Sequence, residues 1–330
     1  MEPWSIITML VAFGGGVFGA ALGGLWSIFL CALLVLVGSV LVMAGGSDFL
    51  LFQIALGPVF GPHVGGFTAG LAAASYAAGY KKNHPNQDAK DILSPLMDTS
   101  WDVLAIGGAF SVLGHILAQL LPKIPIINQF DILALDIVIT IIIARFLFHK
   151  GEMPWGKKES IEKYGYLGND DYKIAWMPWM SQPAKLFMLG IGVGTMSTAM
   201  AAMVQKQLEP LVANGTITAA DSFVAALLMA WALGLLSLLL LNVGQGSIQK
   251  VPITHSIAEL SALAFLLSGS LALGIIVGII AAYLTELAAR MFWNHGSNHI
   301  DPPAVAIAFG TLILSLLLKP EFLNFAQYLK

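Results

Sequence analysis

The residues best suited to chemistry in this chain stand inside apolar sequence. His63 lies in a run, 57–66, that holds Gly57, Pro58, Gly61, Pro62, Gly65 and Gly66. Proline removes a backbone donor and clashes with the preceding turn, and glycine lets the chain turn freely, so no regular helix crosses this run. Irregular backbone at membrane depth persists only where protein covers it or a water-filled cavity receives it. The run therefore reads as a helix break or re-entrant hairpin with His63 at its tip. A helix starting near Val64 would turn free N–H groups and its positive dipole end toward an anion. Asp48 and Gln53 precede the run closely enough to share that site.

A second break spans His295 to Pro303 and contains His299 and Asp301. Asp301 suits the N-cap of the apolar segment that follows, with proline in the first turn, and that role alone accounts for it. His299 and Asp301 also suit a lining or gate position. A bound metal is not expected, because the prolines prevent the helical face that would gather His295, His299 and Asp301.

Two histidines and two arginines recur in matched surroundings. His115, Ala118 and Leu120 return as His255, Ala258 and Leu260, with Glu259 where the first copy has Gln119. Neutral imidazole can bind a solute or relay a proton. Glu259 stands one helical turn from His255, on the same face. A carboxylate in one copy and an amide in the other would give a single proton-sensitive site. Thr140, Ala144, Arg145 and Gly151 return as Thr285, Ala289, Arg290 and Gly296, and Arg145 and Arg290 are the only arginines in the chain. Either guanidinium could hold an anionic solute with a bidentate fork, or lie at a helix end among headgroups. Glu286 is four residues before Arg290 and can pair with it. A third echo relates 12–24 to 190–202.

These residues need helices in lipid to position them. The chain has 330 residues, 57% hydrophobic and only 11% charged, with 34 glycines. A soluble domain carries about 25% charged residues. The sequence thus predicts an all-α polytopic membrane protein, with small residues at close helix contacts. Candidate spans fall at 6–25, 27–44, 51–80 (interrupted), 101–121, 132–148, 185–204, 223–241, 257–267, 271–293 and 303–318, about ten helices, with 257–293 holding only one full span and one short one. One or two of these are broken or re-entrant. The first run lacks a basic region before it and a cleavage site after it, so it reads as a retained span.

Lysines concentrate in the connections 81–100 and 149–184, which the positive-inside rule puts in the cytoplasm, with 205–221 outside. The organisation expected is two structurally repeated halves, 1–150 and 184–330, joined by a cytoplasmic linker at 151–183. Five spans in each half would make the repeats inverted.

A net charge of −3 gives no basis for nucleic-acid binding, and the lone Cys31 excludes an internal disulfide. There is no G-x-S-x-G elbow, no H-E-x-x-H, no acidic cluster for Mg²⁺ and no Walker A loop, so neither an enzyme nor a cofactor is expected. The sequence reading is a secondary transporter for a small polar solute, anionic or zwitterionic and proton-coupled. Its alternatives are a channel or facilitator, and a non-catalytic subunit of a larger complex. The expected setting is a bacterial-type cytoplasmic membrane, multi-pass, and the expected partners are lipid, the solute and a second copy of the chain.

Overall fold

Apolar runs bounded by caps and glycines fold into helices throughout. The computed structural model describes residues 2–170 and 172–318; residues 319–330, the end of the expected second half, lie outside the described residues. The order is α1 (Ile6–Leu22), α2 (Gly24–Met43), α3 (Thr68–Tyr76), α4 (Trp101–Leu120), α5 (Ile132–Phe148), α6 (Lys158–Tyr164), α7 (Pro183–Ala213), α8 (Ala219–Leu235), α9 (Leu238–Val243), α10 (His255–Ser268), α11 (Leu271–Ala288) and α12 (Pro302–Leu318). Single π-helical stretches fall at Leu50–Ala55, Ala77–Lys81 and Ala289–Trp293. Among the described residues there is no strand. Among the described residues, five helices are long and apolar enough to cross a membrane: Gly24–Met43, Trp101–Lys123, Pro183–Ala213, Ala219–Val243 and Leu271–Trp293. The protein is a helical membrane protein.

Local chemistry sets many of the starts. Ser5 caps α1 by accepting from Thr8 N at 3.2 Å, and Asp131 caps α5 by accepting from Ala134 N at 2.8 Å. Thr218 and Asp221 form a reciprocal capping box at α8. Packing then groups the helices. α1 lies on α4 and both touch α3, while α7 lies on α11 and both touch α10. Small residues let these backbones meet, with Gly16 against Gly107 and Gly108 in one group, and Gly190 and Gly194 against Gly278 in the other. α2 packs on α8 and α5 on α12. Each of those two pairs is antiparallel. Gly45, after α2, meets Thr216, before α8. Ser315 near the end of α12 donates to Gln129 O, before α5, at 3.1 Å.

The connections 81–100 and 149–184 and the second break share one face. Lys90 Nζ donates to Asn294 O at 3.1 Å, and Lys157 N donates to His295 O at 2.9 Å.

The first break departs from the sequence expectation at its end. The helix expected near Val64 begins at Thr68, because Pro62 and the Gly65–Gly66 pair sustain a string of turns until there. The amides expected to face an anion are mostly spent. Val64 N and Gly66 N bond to Gly61 O, Thr68 N to Pro62 O, and Ala69 N to Val64 O. The whole run from Phe60 to Thr68 is buried. Glycines on two helices clamp it: any Cβ on Gly15, Gly19 or Gly114 would overlap the carbonyl oxygen of Val59, Gly65 or His63 respectively. Gly114→Val is therefore expected to cost about 2 kcal/mol or more through overpacking. Gly192→Val, where a Cβ meets nothing within 4 Å, is expected to stay within about 0.5 kcal/mol of the parent. Thermal unfolding in detergent compares the two, and equal melting temperatures would contradict the clamp.

Candidate functional site

The two breaks meet inside the molecule. The ring of Phe67, just before α3, packs edge-on against His299, with centroids 6.4 Å apart. Beside this contact lies a cavity of about 470 Å³, within the range of small-molecule sites. Pro62 and Phe67 of the first break and His299 and Asp301 of the second line it, as do His255 and Glu259 at the start of α10. The walls are mainly apolar, with tryptophans at Trp176, Trp179, Trp231 and Trp293.

Ionisable groups form a row along one wall. The carboxyl of Glu259 meets that of Asp131, the α5 cap. His255 is one turn back along α10, edge-on to the Trp231 indole at a centroid distance of 6.4 Å. Its Nδ1 is buried and bonds to no protein group. Asp301 follows, with its Oδ1 3.2 Å from His299 Nε2. His299 Nδ1 in turn accepts from Trp293 Nε1 at 3.0 Å. Lys90 ends the row, its ammonium 4.0 Å from the centre of a Trp293 ring. Asp131 lies level with Ser315, and Asp301 level with the Ile141–Arg145 end of α5. At 1.5 Å per residue the row thus runs roughly 15–20 Å between the two aspartates.

Lys90 sits on the connection after α3, outside the spans. Burial pushes its ammonium down to about 8 from an ordinary 10.5, with Arg145 and Lys157 adding to the effect and Asp88 and Glu152 opposing it. Between those two pH values the unfolded chain binds more protons than the folded one, so stability rises with pH across that window. Below about pH 8 the cost of the buried charge is fully present. Lys90→Met is expected to remove this rise, as a melting curve taken from pH 7 to pH 11 would show.

The remaining sequence candidates lie elsewhere. His63, Gln53 and His115 line a separate pocket of about 20 Å³ together with Gln119, Thr8 and Pro3. His115 Nε2 donates there to Pro3 O at 2.8 Å, and His63 Nδ1 is buried without a hydrogen bond. His115 and His255 therefore occupy different pockets. Asp48 is exposed in the turn after α2, in neither pocket.

Arg145 is fully buried, and four of its five N–H groups go to backbone and amide oxygens. Its Nε bonds to Asn298 Oδ1 at 2.6 Å, Nη1 to Pro154 O at 2.5 Å, and Nη2 to Phe292 O and Asn298 O at 3.0 and 2.9 Å. It holds the second break in place and has no fork left for a solute. Arg290 pairs with Glu286 at 2.8 Å and also reaches Leu167 O, at a half-exposed helix end.

Asp131, Lys90 and the four tryptophans are not among the site residues expected from the sequence. Asp131 carried a readable signal. It precedes the apolar run of α5 just as Asp301 precedes that of α12, and both cap.

Fold and site define a helical membrane protein with a large internal cavity crossed by ionisable side chains. The chain belongs to a family of unknown function, DUF7973, whose model matches residues 1–153 and 169–329. No curated protein and no solved structure matches it.

Proposed function

We propose that the protein is a secondary transporter that moves a small zwitterionic or anionic solute, coupled to protons, with the large cavity as its binding site. The observation that carries this reading is the meeting of both helix breaks at one cavity lined by Asp131, Glu259, His255, Asp301 and His299. Ionisable residues at membrane depth are costly and mark solute or proton paths. In repeat-built carriers, substrate lies between the halves beside broken helices.

The packing supports two inverted five-helix halves. α1, α3, α4 and α5 touch one another as α7, α10, α11 and α12 do, and the pairs joining the halves, α2 with α8 and α5 with α12, are antiparallel. The lysine-bearing face, with 81–100 and 149–184, is assigned to the cytoplasm of a bacterial-type inner membrane.

The test is flux. Purified protein in liposomes, given an inward proton gradient in one set and an outward one in another, is offered labelled amino acids and small carboxylates, because a solute that displaces a proton on binding accumulates only under the outward gradient. Accumulation above the external concentration is the expected result. Equilibration without accumulation would make it a facilitator, and no flux of any solute would favour a subunit that needs its complex.

A further inference from the structure

The cavity combines one acid pair, one unpartnered imidazole and aromatic walls within a single helical turn. Glu259 and His255 are four residues apart on α10, which places their Cβ atoms about 6 Å from each other. Glu259 is in contact with Asp131, and two carboxyls in contact repel unless a proton lies between them. His255 lines the cavity, and its Nδ1 is buried behind that wall without a protein partner, so a ligand reaches it only as the ring turns toward the cavity. Trp231 packs edge-on to that imidazole, and the remaining wall beside it comes from Val224, Leu227 and Leu228 of α8. A pure anion would meet the acid pair, and a pure cation would leave Nδ1–H unused. A compact molecule carrying both charges and an apolar body satisfies all three surfaces.

We propose that the cavity takes a zwitterion with an apolar side chain, an amino acid of the leucine or phenylalanine kind, its ammonium on the Asp131–Glu259 pair, its carboxylate on His255 Nδ1 and its body against Trp231. This rests on the transporter reading only for the solute's passage, not for its binding. The ammonium replaces the proton held between the carboxyls, and that proton leaves to water; the charge at the acid pair is unchanged, and the loaded site as a whole carries one negative charge more, that of the solute carboxylate beside His255. One proton is released for each solute bound, and binding tightens as pH rises.

The other titratable groups on the row are Asp301, His299 and, at its far end, Lys90. Among charges on the helices packed against α10, Lys185, Lys206 and Glu209 of α7, Asp221 of α8 and the Glu286–Arg290 pair do not line the cavity. On α5, Asp136 instead accepts from Thr140. Lys90 and Lys250 line the cavity from connections, away from the acid pair.

The experiment is calorimetry on the purified full chain in detergent, in two buffers of different ionisation enthalpy, with five probes. L-phenylalanine and L-leucine are expected to bind with release of one proton. Phenylacetate lacks the ammonium, phenethylamine the carboxylate and glycine the body, and each is expected to bind about tenfold more weakly or less. Glu259→Gln is expected to weaken phenylalanine about tenfold and abolish proton release, and Asp131→Asn does the same should the first variant fail to fold. Phenylacetate or phenethylamine binding as tightly as phenylalanine would overturn the proposal, as would silence from both amino acids. Flux of some other solute alongside that silence would leave transport standing. Amino-acid binding without flux would keep the proposal and remove transport.

Discussion

Arg145→Lys is expected to lower the unfolding free energy by about 3 kcal/mol, whereas Arg290→Lys changes it by less than about 0.5 kcal/mol. The two residues sit in matched sequence, yet their partners differ in kind. Arg145 is buried with four hydrogen bonds, three to backbone carbonyls of Pro154, Phe292 and Asn298 and one to the Asn298 side chain. Glu152, 3.7 Å from its Nε, supplies the nearby opposite charge. Gly296 makes room for the fork, because a Cβ there would overlap the guanidinium. Lysine offers a single ammonium that cannot reach acceptors in a plane, and each buried carbonyl left unpaired costs about 1–3 kcal/mol. The consequence reaches the site, since Asn298 and Phe292 flank His299 and Trp293. Arg290 keeps one ion pair at a half-exposed helix end, and such pairs are worth about 0–1 kcal/mol. Unfolding of both variants by denaturant in one detergent measures the contrast. Equal losses would mean that Arg145 does not hold the second break.

That contrast marks where sequence reasoning reached and where it stopped. Apolar runs, the break at 57–66 and the capping role of Asp301 depend on near neighbours, so composition and spacing expose them. The number of acceptors around Arg145 depends on segments at 154 and 292–298, which local sequence does not join. The same holds for Lys90, Asp131 and the four tryptophans, which converge on the cavity only through packing of distant helices. His115 and His255 show a further gap. Their surroundings match in sequence, but His115 lies near the end of α4 and His255 opens α10, whereas packing sets α4 beside α1 as α11 beside α7. Arg145 likewise ends α5, while Arg290 follows α11. The glycine-rich echo between 12–24 and 190–202 instead falls mainly on α1 and α7, of which α1 packs on α4 and α3, and α7 on α11 and α10. Glycine spacing at helix contacts is under direct steric constraint, whereas scattered polar matches in apolar sequence are not.

With the proposed proton-coupled transport, Asp301→Asn is expected to reduce uptake driven by a proton gradient in liposomes about tenfold or more while leaving the melting temperature nearly unchanged. Asp301 has two separable tasks. Its Oδ2 accepts from Ala304 N at 2.9 Å, capping α12, and its Oδ1 faces His299 Nε2 at 3.2 Å on the cavity wall. Asparagine caps a helix as well as aspartate does, so the first task survives. The charge beside His299 and toward His255 does not, and a path that carries a proton along the row loses a member. Asp301→Ala removes both tasks and is expected to cost a further ~1 kcal/mol of stability. Comparing the pair separates cap from path. If asparagine transports as well as aspartate, Asp301 serves only the helix, and the row of exchanging groups ends at His255. If alanine and asparagine lose uptake equally but only alanine melts early, the charge on the cavity wall is what transport requires.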